Sequence, residues 1–159
     1  MRFSYLSYPV QRPIPALGGR FARSRPVIPV RMSGPAASWL MDGQLDTGAD
    51  ETICEEWVAS AIGIDLTNAP RHDVRLVGRT QPVQCRYRTV QIRVTDGVLE
   101  ALEWTGIVGF VNIRLRFPLL GFAGFLEYLD VEFRGPKQEV EMKPGVGFPG
   151  QVVRLSKTP

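Results

Sequence analysis

The sequence predicts an all-β domain with one or two short helices, closed in the manner of a barrel. Three observations point there. Short apolar stretches with two-residue alternation recur along the chain, Gly- and Pro-containing turns separate them, and only two stretches change to a helical period. With 159 residues the chain is long enough for one domain with a proper core. Hydrophobic residues at 44% and charged residues at 22% match an ordinary globular protein and argue against a fibre.

The elements follow in order. Residues 1–25 are broken by Pro9, Pro13, Pro15 and Gly18-Gly19, which prevents a long helix and predicts an irregular or extended basic arm. From Pro26 the segment VIPVRM reads as a strand, SGPAAS as its loop, and Trp39 to Leu45 as the next strand, running straight into Asp46. The period then changes. Thr52 and Glu55 fit a capping box, Ile53, Trp57 and Ala61 share one helical face with Val58 and Ile62 beside it, and Gly63 supplies the stop.

Beyond Pro70, Val74 to Val77 and Val83 to Val94 read as strands, the second closed by the turn Thr95-Asp96-Gly97. Its apolar phase shifts from Cys85 and Tyr87 to Val90, Ile92 and Val94, which predicts a bulge. Val98 to Phe110 is a further strand, and Arg114 to Leu120 leads into Gly121. GFAGFLEYL suits a second short helix, and LDVEF, RGPK and QEVEM a hairpin. Residues 144–159 are a Gly/Pro-rich tail whose apolar patch, Val152 to Leu155, is either an interface strand or a frayed end.

Several functional classes lose support. No apolar run approaches the roughly 18 residues of a membrane span, and the N-terminal residues lack a signal-like apolar core, so the expectation is a cytoplasmic protein without membrane partners. Cys54 and Cys85 lack metal-ligand spacing, His72 stands alone, and no nucleophile signature accompanies them. Neither a metal site nor a serine or cysteine hydrolase is indicated. The two thiols read as reduced and structural, and His72 as a solvated loop residue. Trp39, Trp57 and Trp104 read as core, and Glu55 and Glu56 as acids at a helix start.

Six of the 19 basic residues, Arg2, Arg12, Arg20, Arg23, Arg25 and Arg31, lie before the first acid, Asp42. Such an arm suits phosphate contacts, but its arginines are spaced among prolines without interleaved stacking aromatics, which disfavours nucleic-acid binding.

The chemistry concentrates in GQLDTGAD, Gly43 to Asp50. Metal-free peptide hydrolysis needs one carboxylate to take a proton from water and one carboxylic acid to donate to the carbonyl. Two carboxyls held together do this, because like charges at about 3 Å cannot both ionise. A Gly permits the sharp turn and a Thr hydroxyl can fix the loop. The triplet alone arises by chance in roughly one chain in ten of this length, and it also suits an acid in a β-turn or at a helix entry.

Context adds to it. Asp46 ends an apolar strand, Ala49, Asp50 and a helical pattern follow, and Pro118-Leu119-Leu120-Gly121 comes later with GFLEYL and DVEF behind it. From about Pro26 to Met142 the chain resembles the retropepsin-like aspartic proteases, the bacterial single-lobe relatives of retroviral proteases, anchored on LDTGAD and LLGFAGFLEYLDVEF. The resemblance implies a protease domain over 26–143 and a homodimeric aspartic endopeptidase without cofactor or metal, acting on a peptide or protein substrate.

It assigns Asp46 as the catalytic aspartate sharing a water with its twin, Thr47 as the hydroxyl interlocking across the dimer axis, and Gly48 as a carbonyl against the substrate backbone. Ala49 and Asp50 correspond to substrate-side positions, and Leu119, Leu120 and Gly121 to the strand behind the catalytic loop. A flap is implied between Val74 and Val90, with Gly78, Arg79 and Thr80 as its substrate-facing tip. Two departures stand out: Phe122 follows Gly121 where relatives carry Arg or Asn, so Asp50 either stays solvated or finds another partner such as Arg75 or Arg79, and the flap segment holds one Gly. The alternative is a peptide-binding or dimerisation module of the same fold without turnover.

Overall fold

The computed structural model describes residues 1–155. Its strands are β1 (Arg2–Ser4), β2 (Leu6–Ile14), β3 (Arg20–Arg25), β4 (Val27–Ser33), β5 (Ser38–Leu45), β6 (Ile53–Glu55), β7 (Arg71–Val74), β8 (Val83–Thr95), β9 (Glu100–Val111), β10 (Leu119–Leu120), β11 (Leu129–Arg134), β12 (Glu139–Pro144) and β13 (Gln151–Arg154), with one helix, α1 (Glu56–Ala61). Among these residues no helix is long and apolar enough to cross a membrane.

The expected closed barrel is present. The order β9-β6-β10-β5-β4-β8 returns on itself because β8 also pairs with β9 along Cys85–Thr95, while β7 and β13 flank it. Alternation explains β4, whose Ile28, Val30 and Met32 are fully buried while Pro29 and Arg31 face out. Its inner face meets Ile92, Val94, Leu102, Phe110 and Leu120 in one core. Burial pushes the Cys54 thiol up to about 12, which keeps it protonated, and both cysteines are free and buried.

The phase shift in β8 has another cause than a bulge. Its register with β9 runs unbroken from Cys85↔Val111 to Thr95↔Ala101. Cys85 belongs to a second small core with Ile53 and Val111, whereas Val90, Ile92 and Val94 face the main one. One long strand buries opposite faces at its two ends.

Other expectations shift locally. Ile53 to Glu55 is a strand, so the Thr52/Glu55 capping box does not form and α1 starts at Glu56 with no side-chain cap. Pairing with both β10 and β9 outweighs the local helical pattern. GFAGFLEYL contains only a 3-10 turn at Leu126–Tyr128. Gly124 adopts φ +86°, and a Cβ there would stand 2.3 Å from the Ile107 carbonyl oxygen, so a continuous helix cannot pass. The predicted strand at Val74 to Val77 lies earlier, at Arg71–Val74, and the chain then leaves the sheet. The predicted approach from Arg114 is extended strand only at Leu119–Leu120. His72 accordingly sits on β7, exposed, and not in a loop. Only Trp104 is core; Trp39 and Trp57, about half exposed, pack edge to face on each other with centroids 5.4 Å apart.

The N-terminal basic segment forms a β2–β3 hairpin turned by Gly18 and Gly19 at φ +67° and +75°. In the tail, β13 pairs antiparallel with Glu100–Glu103 of β9, and residues 156–159 lie outside the described part. The β11–β12 hairpin matches expectation, with β1 added along β12.

Candidate active site

The Asp46 loop is held from behind by the segment that follows β10. Leu119 and Leu120 run parallel to Gln44 and Leu45, and Leu119 also pairs antiparallel with Ile53. The strands entering and leaving the loop thus share one short strand between them. The Asp46 amide donates to the Leu120 carbonyl at 3.1 Å, and the Phe122 and Ala123 amides donate to the Ala49 and Asp50 carbonyls, each at 2.9 Å. Within the loop, the Gly48 amide donates to Asp46 Oδ1 at 3.0 Å and the Ala49 amide to the Asp46 carbonyl at 3.2 Å. The carboxyl is therefore oriented by its own turn, half-buried at the base, while Thr47 and Gly48 are exposed at the tip.

Gly121 makes this backing possible. A Cβ at Gly121 would lie 2.2 Å from the Glu51 carbonyl oxygen and 2.7 Å from that of Ala49, both backbone atoms that cannot move without the loop. Gly121→Ala is expected to destabilise the domain by about 3 kcal/mol, read as a lowered denaturant midpoint. An unchanged midpoint would contradict the close approach.

Two adjoining hollows open beside Asp46. One, of about 390 Å³, is walled by Asp46, Gln44, Arg25, Leu76, Arg116 and Phe117. The other, of about 230 Å³, is walled by Asp50, Glu51, His72, Asp73, Arg75 and Leu76. Gly48, Ala49, Arg75, Leu76 and Leu119 border both, so they form one cleft across the loop. Asp46, Gly48, Ala49, Asp50 and Leu119 therefore share the cleft, with Leu120 and Gly121 behind it.

The other predicted positions lie apart. Gly78, Arg79 and Thr80 sit in the exposed turn between β7 and β8, outside the cleft lining; Gly78 takes φ +84° and the Arg79 amide closes on the Leu76 carbonyl at 3.1 Å. Arg75, Leu76 and Val77 of the same loop reach the cleft instead. Arg75 borders the hollow that holds Asp50, yet among the described residues no ion pair reaches Asp50. Phe122 is exposed.

Glu51 belongs to the cleft although the sequence did not single it out. The Tyr87 hydroxyl donates to Glu51 Oε2 at 2.6 Å, and burial followed by this bond raises the Tyr87 pKa far above its ordinary value. Tyr87 thus stays a donor that orients Glu51. No local sequence signal marks the pair, which meets because β8 passes beside the loop.

No protein-family model matches the sequence, and no curated protein matches it. Solved structures do. A retropepsin-like aspartic protease from Rickettsia conorii superposes with a TM-score of 0.51 at 16% identity, covering 89% of this chain and 99% of that one. EIAV protease complexed with the inhibitor HBY-793 superposes with a TM-score of 0.43 at 17% identity, covering 61% of this chain and 81% of that one. The chain has the retropepsin-like fold, all-β as its sequence implied.

Proposed function

We propose that the chain is an aspartic endopeptidase whose site is completed by a second copy, each contributing Asp46. The observation that carries this is the placement of Asp46: its loop is clamped by the segment after β10, its carboxyl is set by the Gly48 amide, and it stands at the cleft formed by the two hollows. No other Asp in the sequence lies in an Asp-Ser/Thr-Gly context. Two Asp46 carboxyls facing across a two-fold axis would share one proton. The ionised one takes a proton from water as the oxygen attacks the peptide carbonyl. The protonated one donates to the carbonyl oxygen, and the C–N bond then breaks as the amine takes up a proton.

Exposed Thr47 at the loop tip suits contact with its twin, and among the described residues β13 ends its sheet, its outer edge available to a partner strand. The loop from Arg75 to Pro82 acts as the flap in this reading, with Arg75 to Val77 at its cleft side. It should exchange amide hydrogens rapidly in the free protein and slowly with bound peptide. Equal, strong protection in both states would contradict the gating role.

The test of the activity is incubation of purified protein with a diverse peptide mixture between about pH 4 and 7, a range set by the splitting of a shared-proton pair. Cuts that depend on the protein support the endopeptidase. Retention of peptides without cuts would support the binding module instead.

A further inference from the structure

We propose that the hollow beside Asp46 selects peptides carrying an acidic side chain, bound by Arg116, and that the N-terminal hairpin sets Arg116 for this task. The inference rests on the peptide-cleft reading above and names the substrate class of that cleft.

Three guanidinium groups, Arg25, Arg75 and Arg116, wall this hollow, and its one carboxylate is Asp46. Among the described residues none of the three forms an ion pair, whereas Arg86, Arg93 and Arg134 each hold a glutamate. The hollow therefore carries excess positive charge, three guanidinium groups against one carboxylate. Its walls also constrain two of the arginines. The Arg116 guanidinium lies 3.8 Å from the ring centroid of Tyr8, on β2, and 5.7 Å from that of Phe117. Arg25, at the end of β3, donates from Nη1 to Gln44 Oε1 at 2.7 Å.

A guanidinium resting on an aromatic face keeps its edge N–H groups for a planar acceptor, and holding it there reduces the ordering cost of binding. A carboxylate matches that edge with two parallel hydrogen bonds. Leu76, Phe117 and Leu119 supply apolar wall for the stem of a Glu or Asp and for neighbouring residues. The basic hairpin thus serves the cleft through Arg25, which walls it, and Tyr8, on which Arg116 rests.

The experiment uses paired random-peptide pools that differ only in having Glu or Gln at one fixed position, with that position moved along the peptide. Full-length wild-type protein is scored for cleavage, and Asp46→Asn protein for retention. At one or more positions the Glu pool should be favoured by roughly tenfold. Arg116→Gln should bring the ratio near one, with a wild-type denaturant midpoint showing that the variant is folded. Tyr8→Leu should lower the ratio partway. Equal handling of both pools at every position, a ratio unchanged in Arg116→Gln, or no retention and no cleavage of either pool would overturn the proposal. Glu-selective retention without cleavage would leave it standing and overturn the peptidase reading. Cleavage without Glu preference would do the reverse.

Discussion

Asp46→Asn protein is expected to fold and to lose peptide cleavage by about a thousandfold or more in kcat/KM. The amide keeps an oxygen able to accept the Gly48 N–H now donated to Asp46 Oδ1, and the side chain is only half-buried, so the loop has little reason to collapse. What disappears is the titrating group. Asparagine can neither take a proton from water nor return one to the carbonyl oxygen. Substitutions at Asp42, Asp65 and Asp96 should change the rate far less. Asp42 is exposed on β5, Asp65 accepts from Thr67 in a surface turn, and Asp96 accepts from Val98 and Leu99 at the β8–β9 turn. Asp73 differs from these because it walls the cleft, and its loss should affect peptide binding more than turnover. A folded Asp46→Asn protein that cleaves at the wild-type rate would remove Asp46 from the mechanism.

Much of this arrangement was legible in the residues because it is local. The alternation of Val27 to Met32, the Asp-Thr-Gly-Ala turn after Leu45 and the Leu-Leu-Gly before Phe122 each carry their own signal, and the barrel strands follow from them. What was not legible is set by neighbours distant in sequence. Ile53 and Cys54 fit a helical face as well as a strand, and only the flanking β10 and β9 decide between the two. The β8 phase shift looked like a bulge because the sequence does not show that its two ends face different cores.

The cleft was legible only at the Asp46 loop. The reading placed the substrate-facing part of the β7–β8 loop at its turn, Gly78 to Thr80, where a tip would be, but the loop folds so that Arg75 to Val77 border the hollow. Arg116 could not be singled out at all. Its partner Tyr8 lies on the N-terminal hairpin, and no spacing rule links the two. The same holds for Glu51 and Tyr87, which meet only because β8 passes beside the loop.

The second large effect concerns the partner copy. The proposed mechanism needs two carboxyls of split pKa, and these residues supply one Asp-Thr-Gly. The site would exist only at a two-fold interface, so activity per chain should fall on dilution below the dimer dissociation constant. The most direct measurement mixes wild-type protein with Asp46→Asn chains, allows subunits to exchange, and follows cleavage per wild-type chain. With about ninefold excess of the variant and random pairing, the account predicts a fall to about one tenth, because nine wild-type chains in ten then face an Asn. Activity per wild-type chain that stays constant, while sedimentation shows mixed dimers or dissociated monomers, would contradict it and place the second proton-transfer group within a single chain.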